Sequence, residues 1–180
     1  MKEDIIKKIE IPFGMEVSVN NGEVSVKGNG KETIRKFDLK NFKIEKSKNS
    51  VEISAKKATK REAKLIGTVT AHIKNMIKGI NENFVYKMEI VNIHFPMNVK
   101  IEKNKVVIKN FLGERIERVA NILPDVKVEV KGNEIIISSH EKESAGQTAA
   151  NIEKAATLKG RDRRIFQDGI FITEKCGRAI

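Results

Sequence analysis

Apolar and polar residues alternate with a period of two at two places in the chain, about 82 residues apart. The first alternation surrounds an Asn-Asn-Gly turn at 20–22, and the second surrounds Lys-Asn at 103–104. The alternating apolar residues are Val17, Val19, Val24 and Val26, and then Val99, Ile101, Val106 and Ile108. Because such turn residues tolerate a left-handed backbone, each pattern is typical of a β-hairpin. The sequence therefore predicts the same hairpin twice.

Each half also contains a second predicted hairpin and a predicted strand after its helix. The second hairpins turn at 48–50 and at 131–133. Their apolar positions are Phe42, Ile44, Val51 and Ile53, and then Val126, Val128, Val130, Ile135 and Ile137. We expect a strand over 84–95 to close the first half and a strand over 169–173 to close the second. Residues 114–123 fit a short helix and an irregular strand equally well.

The clearest helix is predicted over residues 60–78. Thr59 and Glu62 have the spacing of a capping box, and Gly79 stands where a helix commonly ends in a left-handed residue. At about 100° per residue, the apolar side chains fall on one face. They are Leu65, Ile66, Val69, Ile73, Met76 and Ile77. Such an amphipathic helix is expected to cover a sheet.

The second predicted helix has smaller apolar side chains, which let it lie close to its sheet. Ser144 and Gln147 have the spacing of its capping box. Its narrow apolar stripe consists of Ala145, Ala149, Ile152 and Ala156. Together the repeats predict an α+β fold of two tandem copies of a small domain, each with antiparallel hairpins and one covering helix. The predicted domains span 1–81 and 82–180.

Composition narrows the classes of protein. The chain has 180 residues, and 35 Lys and Arg against 24 Asp and Glu give a net charge of +11, which favours a polyanionic partner. No apolar run approaches the roughly 18 residues of a membrane span, so neither a transmembrane helix nor a signal peptide is predicted. The lone Cys176 cannot form an internal disulfide, which favours a reducing compartment. The predicted location is the cytoplasm.

Residues for catalysis or metal binding are sparse. The three histidines have no Cys, Asp or Glu at metal-ligand spacing, so no metal site and no cofactor are predicted. His72 at the edge of the first helix's apolar face and His94 between two apolar strand residues are predicted to pack or cap. A histidine-dependent RNA-processing enzyme is the alternative hypothesis. Cys176, without a histidine at catalytic spacing, is predicted to be inert.

Two further classes of site are disfavoured by the sequence. The segment 28–33, Gly-Asn-Gly-Lys-Glu-Thr, lacks the first glycine of a phosphate-binding loop and is predicted to be a hairpin turn. An adaptor on an anionic membrane would need an amphipathic helix that is free to leave its sheet, and the capped helix over 60–78 argues against that.

Two basic segments compete as polyanion-binding sites. Residues 56–78 hold seven Lys or Arg and one acid, Glu62, and such a lysine-rich helix face is predicted to be solvated. The second segment leaves the second helix and enters the strand at 169–173, so structure holds both its ends. Its cations are Lys154, Lys159, Arg161, Arg163 and Arg164. Because an ordered arginine loop loses little entropy on binding and grips phosphates, this segment is predicted to bind RNA or another polyanion.

The aromatic content predicts how RNA would be recognised. The chain has one tyrosine, no tryptophan and eight phenylalanines, most of them at positions suited to a core. It therefore lacks the aromatic platform on which RNA-binding sheets stack bases. We expect recognition to depend on phosphates and shape rather than on splayed bases.

Three separated motifs in the same order resemble one family. They are AHIKNMIKGINENFVYKMEIVNIHFPMNV, EKESAGQTAANIEKA and KGRDRRIFQDGIFI, and together they extend over essentially the whole chain. They resemble the L-six family of large-subunit ribosomal proteins in its archaeal and eukaryotic form. That family is built from two tandem copies of a small α+β domain, which agrees with the internal repeat.

The resemblance implies a structural role without catalysis. Family members bind large-subunit ribosomal RNA beside the sarcin-ricin region, near the base of the stalk where translation GTPases dock and other ribosomal proteins are neighbours. RNA contact in the family comes chiefly from the second domain. Carried over to this sequence, the rRNA-binding residues are Gly146, Gln147, Asn151, Lys154, Lys159, Arg161, Arg163 and Arg164, with Lys175 and Arg178 less securely.

Three positions keep alternatives open. Gln147 contacts RNA or is used by the capping box. Asp168 lies in the stretch 166–169, where the bacterial branch of the family carries a lysine- and glycine-rich motif, and it pairs with Arg163 or Arg164, or it caps the turn before Gly169. Phe166 is a base-stacking ring or a core residue, and the core is favoured.

Overall fold

The computed structural model describes residues 3–39, 42–47 and 49–180. The chain divides into two compact units, residues 1–82 and 83–180, and each has its own apolar core. Each unit combines antiparallel sheets with a helix. The predicted α+β class with a tandem repeat is therefore confirmed.

The first unit contains two small sheets and a helix. In chain order, its described elements are β1 (Glu3–Glu10), β2 (Glu16–Asn20), β3 (Glu23–Gly28), β4 (Lys31–Lys36), β5 (Lys43–Lys46), β6 (Ser50–Ala58) and α1 (Lys60–Asn81). The sheets are ordered β2-β3-β4 and β1-β6-β5. Helix α1 packs on strands of both sheets, and its predicted apolar face is buried there except for Leu65, which is exposed.

The second unit has a three-stranded and a five-stranded sheet. Its elements are β7 (Phe84–Val91), β8 (Asn98–Glu102), β9 (Lys105–Lys109), a 3-10 turn (Phe111–Gly113), β10 (Arg118–Asn121), β11 (Val126–Lys131), β12 (Glu134–Ser139), α2 (Lys142–Ala155), β13 (Gly169–Lys175) and β14 (Arg178–Ala179). The sheets are ordered β10-β9-β8 and β11-β12-β7-β13-β14. The ambiguous stretch 114–123 thus contains a strand.

The predicted hairpins are confirmed by their registers. Val19 pairs with Val24 in the first hairpin, and Ile101 pairs with Val106 in its repeat. Asn29 and Gly30, both with positive φ, form the turn between β3 and β4, as expected for a hairpin rather than a phosphate loop. Lys48, part of the turn predicted at 48–50, lies outside the described residues.

The strand predicted over 84–95 does not close the first unit. Strand β7 lies between β12 and β13 in the second unit, where it occupies the place that β1 has beside β6 in the first. Its inward residues Phe84, Tyr86, Met88 and Ile90 are buried. The alternation showed that this segment is a strand. Its partners are distant in sequence, and the local pattern does not specify them.

The predicted helix ends are only partly correct. The capping box at Thr59 is confirmed, since the Thr59 N–H donates to Glu62 Oε2 over 2.8 Å. Gly79 does not end α1: it is buried within the helix, which runs to Asn81 because Ile80 still packs in the core.

The capping box predicted for α2 is wrong. The helix begins at Lys142, and the Ser144 hydroxyl donates to the carboxylate of Glu141. Gln147 lies in the second turn and donates from Nε2 to Asn151 Oδ1 over 3.0 Å. The predicted apolar stripe is confirmed, because Ala145, Ala149, Ile152 and Ala156 are all buried.

The connection from α2 to β13, residues 156–168, is anchored by Asp168. This carboxylate is 2% exposed. It accepts hydrogen bonds from the N–H groups of Ile93 and His94 over 2.8 and 3.0 Å, and its Oδ2 lies 2.6 Å from His94 Nδ1. Neither alternative proposed for Asp168 from the sequence is correct. These bonds also explain why β7 ends at Val91 and leaves His94 outside the strand, since the two N–H groups donate to a side chain rather than to the backbone of a neighbouring strand.

Hydrogen bonding decides the protonation of Asp168. Burial by itself would raise the pKa of this carboxyl, but the backbone and ring donors of His94 and the N–H of Ile93 outweigh it and hold the pKa below the usual 3.8. The charged form is therefore the one that the fold stabilises.

His72 packs in the first unit, with its ring centroid 6.3 Å from that of Phe37.

Gly146 sits where α2 comes closest to the sheet, and we expect Gly146→Ala to destabilise the second unit. A Cβ there would lie 2.9 Å from Oη of the buried Tyr86 and 3.3 Å from its Cζ. Such crowding costs about 1–3 kcal/mol, against roughly 1 kcal/mol gained in helix propensity. Urea unfolding followed by the fluorescence of Tyr86, the single tyrosine, measures the difference.

The matched control is Gly67→Ala in α1. The nearest atom to a Cβ at Gly67 is Lys7 Nζ at 4.0 Å, so this substitution is expected to stabilise the first unit by up to about 1 kcal/mol. Circular dichroism follows its unfolding. If both alanines stabilised the protein, the close approach of α2 to Tyr86 would be wrong.

Replacing Asp168 by Asn should lower the free energy of unfolding of the second unit by about 1–3 kcal/mol at neutral pH. Because the folded carboxyl has a pKa below 3.8, its stabilisation is complete above that pH and is lost as the pH falls through the folded pKa. The difference between wild type and variant should therefore shrink in acid. Urea unfolding at neutral pH and at about pH 3 measures it.

Asp125→Asn is the control for that experiment. Asp125 is exposed and has a φ of 59°, a conformation that Asn tolerates equally well. Its effect is expected to stay within about 0.5 kcal/mol at both pH values. A difference for Asp168→Asn that is independent of pH would contradict the role given to its charge.

Candidate nucleic-acid interface

The outward face of α2 carries a row of polar residues. Gln147, Asn151 and Lys154 follow one another at helical spacings of four and three, which places them on one side. Gln147 bonds to Asn151, whose Nδ2 donates to the carbonyl of Asn121 over 3.2 Å. These amides are thus oriented by the fold and reach solvent.

The C-terminal end of α2 is held by an arginine that sequence reasoning missed. Arg118 Nη1 donates to the carbonyls of Ala155 and Thr157 over 3.0 and 2.8 Å. Its Nε and Nη2 grip the Glu114 carboxylate at 2.7 and 2.6 Å, and the guanidinium carbon lies 4.1 Å from the centroid of the Phe111 ring. The i,i+4 spacing of Glu114 and Arg118 was the available signal, but the secondary structure of this stretch was ambiguous.

Cations of the loop that follows α2 also affect the pKa of the Glu114 carboxylate. Its pKa is lowered chiefly by the hydrogen bond from Arg118, and the charges of Arg161 and Lys159 add to the effect. Arg161 and Lys159 therefore lie close enough to Glu114 for their charges to stabilise its carboxylate. We call residues 157–168 the basic loop. The surface that this loop forms with the outward face of α2 is called the α2–loop surface. Its polar and cationic residues are Gln147, Asn151, Lys154, Lys159, Arg161, Arg163 and Arg164.

Stacked side chains fix the middle of the basic loop. The Arg161 guanidinium carbon lies 4.7 Å from the centroid of the Phe166 ring. That ring stacks on His94, with centroids 4.8 Å apart and planes inclined by 29°. Since His94 is bonded to Asp168, the stack links Arg161 to the buried anchor. Phe166 is half-buried within this stack.

Arg164 is paired within the loop. Its Nη2 lies 2.8 Å from Asp162 Oδ2, and its backbone N–H donates to Asp162 Oδ1 over 2.9 Å. The hydrogen bond from the Arg164 side chain lowers the pKa of Asp162, and the same bond raises the pKa of Arg164. Asp162, rather than Asp168, is therefore the carboxylate that partly offsets an arginine of the loop.

Lys154 and Arg163 border a groove of about 750 Å³. The groove lies between the second half of α2, the basic loop and the start of β13, and apolar residues including Leu158 and Phe171 line much of it. No hydrogen bond or ion pair among the described residues engages the side-chain nitrogens of Lys154 or Arg163. Both side chains are exposed.

The remaining predicted site residues lie elsewhere on the unit. Lys175 and Arg178 pair across the β13–β14 hairpin, at the far end of the seven-residue strand from the basic loop. Lys175 is opposite Tyr86, the residue that Gly146 approaches. Gly146 therefore packs against Tyr86, and the two cations lie apart from the basic loop. Lys159 is exposed near the start of the loop.

The described residues offer neither a metal site nor a membrane-spanning helix. Over the described ranges, 3–39, 42–47 and 49–180, no group of three His, Cys, Asp or Glu side chains could hold a metal ion. Within the same part of the chain, no helix is long and apolar enough to cross a membrane.

The family model for ribosomal protein L6 matches residues 11–83 and 95–169, one match in each unit. The large ribosomal subunit protein uL6 of Methanobrevibacter smithii is 49% identical over 171 residues, which are 95% of this chain and 96% of that protein. The corresponding proteins of Methanococcus vannielii and Methanothrix thermoacetophila are 45% and 43% identical over 98% and 97% of this chain, and over 97% and 99% of their own lengths. With both repeats matched and relatives this similar over nearly their full lengths, the chain belongs to the ribosomal protein L6 family.

Proposed function

We propose that this protein is a noncatalytic constituent of the large ribosomal subunit, and that it binds large-subunit rRNA through the α2–loop surface. The observation that carries the proposal is the anchoring of an arginine-rich loop by the buried Asp168. Its relatives are large ribosomal subunit proteins. A place in the cytoplasmic ribosome accounts for the high positive charge of the chain, because rRNA is a polyanion.

The mechanism is electrostatic positioning. Guanidinium groups hold phosphates through paired hydrogen bonds, so the direction of each fork matters as much as its charge. Arg161 is oriented by its stack on Phe166, which is fixed in turn by His94. A loop ordered before binding loses less conformational entropy when the RNA arrives. The fold of the second unit thus prepares the contact.

The position on the ribosome is a further part of the proposal. We propose, as the family resemblance implies, that the contact lies beside the sarcin-ricin region near the stalk base, with other ribosomal proteins as neighbours and translation GTPases nearby. We assign Lys175 and Arg178 to the edge of the rRNA contact, since Lys175 pairs with Arg178 and with Tyr86, the residue against which Gly146 of α2 packs. The lysine-rich face of α1 is left to solvent.

The histidine-dependent enzyme is not supported. Members of the family are structural ribosomal proteins. His94 is hydrogen-bonded to Asp168 and stacked on Phe166. His72 belongs to the other unit, where it packs near Phe37. No specific observation favours a second function.

Association with ribosomes is directly testable. We expect the protein to sediment with large ribosomal subunits in stoichiometric amount when a lysate is centrifuged at low salt. Raising the salt should release it if phosphate contacts dominate. A protein that stays at the top of the gradient at low salt would overturn the proposed function.

The assigned surface is tested by the salt dependence of binding to large-subunit rRNA. With four or five phosphate contacts, the slope of log affinity against log salt should be about 3 to 4 in magnitude. Replacing Arg161, Arg163 and Arg164 together by alanine should weaken binding and reduce that slope by about 2. The reduction is less than three full contacts because Asp162 already offsets part of the Arg164 charge.

A variant with the same loss of charge serves as the control. Lys64, Lys74 and Lys78 are exposed on α1, and replacing all three by alanine removes three charges from the first unit. This variant should keep nearly the whole slope. If it lost the slope and the loop variant kept it, the RNA contact would belong to α1 and the site assignment would be wrong. Circular dichroism confirms that both variants are folded.

A further inference from the structure

The cations of the α2–loop surface differ in what they already contact. Arg161 lies on Phe166, and Arg164 is paired with Asp162. Lys154 and Arg163 have no such partner among the described residues, and both border the groove of about 750 Å³. Lys154 and Arg163 are therefore free to bind an anion beside the groove, whereas the exposed Lys159 lies outside its lining.

The groove itself is suited to a flat, partly apolar group. Val91, Leu158, Ile170 and Phe171 line it, and the side chain of Phe171 is 44% exposed. Exposed aromatic surface of this kind in a concave site is typical of ligand binding. The volume also lies within the usual range of ligand pockets, roughly 300 to 1,000 Å³.

Polar groups stand among these apolar residues. Glu153 and Gln167 both line the groove. Glu153 Oε1 lies 3.4 Å from the N–H of Ile172, a long contact that leaves its other oxygen available. A carboxylate and an amide can bond to the donor and acceptor edge of a nucleobase. A simple hydrocarbon chain would leave both groups without partners.

We propose that this groove receives an unpaired nucleotide of the bound rRNA, with its base against Phe171 and Leu158 and its phosphate between Lys154 and Arg163. The proposal rests on the RNA-binding function proposed above and adds a mode of recognition to it. Proteins that read RNA commonly stack unpaired bases on aromatic rings and bond to their edges. It revises the expectation from composition that recognition depends on phosphates and shape without splayed bases.

The first test uses the full chain and small ligands. Amide chemical shifts of the isotope-labelled protein are followed during titration with the four nucleoside monophosphates, ribose 5-phosphate and inorganic phosphate. The nucleotides are expected to shift the amides of Leu158, Ile170 and Phe171 and to bind more tightly than ribose 5-phosphate. Equal binding of all these ligands would overturn the proposal and show an anion site alone.

The second test uses large-subunit rRNA and a matched pair of variants. Phe171→Ala should weaken binding by about tenfold, since one base–aromatic stack is lost, and it should leave the salt slope unchanged because no charge is removed. Phe95→Ala is the control: Phe95 is 48% exposed and does not line the groove. It should bind like the wild type.

The outcomes separate this proposal from the proposed function. If the wild type failed to bind large-subunit rRNA, the proposed function would fail. If the wild type bound, the arginine variant lost its slope and Phe171→Ala had no effect, the groove would carry no base while the function stood. The groove could instead bind an apolar protein segment. In that case Phe171→Ala would still bind rRNA tightly but would lose a protein neighbour. That result would also overturn the proposal. Tyr86 fluorescence checks that Phe171→Ala remains folded.

Discussion

A buried carboxylate determines where the basic loop of this protein lies. Asp168 is nearly inaccessible to solvent, and three donors from Ile93 and His94 satisfy it. A charge in such a place is tolerated only when hydrogen bonds replace its lost hydration. The same bonds end β7, anchor the basic loop and support the ring stack that orients Arg161. Removing the charge would therefore affect the loop through several contacts at once.

The distribution of charge on the surface follows from the same anchoring. A count of Lys and Arg suggests five equivalent cations over residues 154–164. In the folded unit they are unequal, because Arg161 stacks, Arg164 is paired and Lys154 and Arg163 border the groove. The useful distinction is between cations that organise the loop and cations that remain available to a phosphate. Arg118 belongs to the first kind, since it closes the end of α2.

The tandem repeat separates a shared scaffold from an added element. Both units run through a strand, a three-stranded meander, a hairpin and a helix. The second then continues through the basic loop into β13 and β14, and β13 extends its larger sheet beyond β7. The first unit has no such continuation, because the chain passes from α1 directly to β7 of the second unit. The basic loop thus lies on the segment by which the second copy exceeds the first, whereas α2, which completes the proposed RNA contact, belongs to the repeated part.

Local patterns in the sequence determined the strands, hairpins and apolar helix faces, because alternation and helical spacing act over a few residues. They also predicted the capping box at Thr59 and marked the arginine-rich segment. The tertiary structure alone decided that β7 pairs within the second unit, that Gly79 stays inside α1 and that Asp168 bonds to His94 rather than to an arginine. Each of these depends on groups that are distant along the chain and meet only when the cores pack. The groove at Phe171 is of the same kind, since its walls come from separate elements.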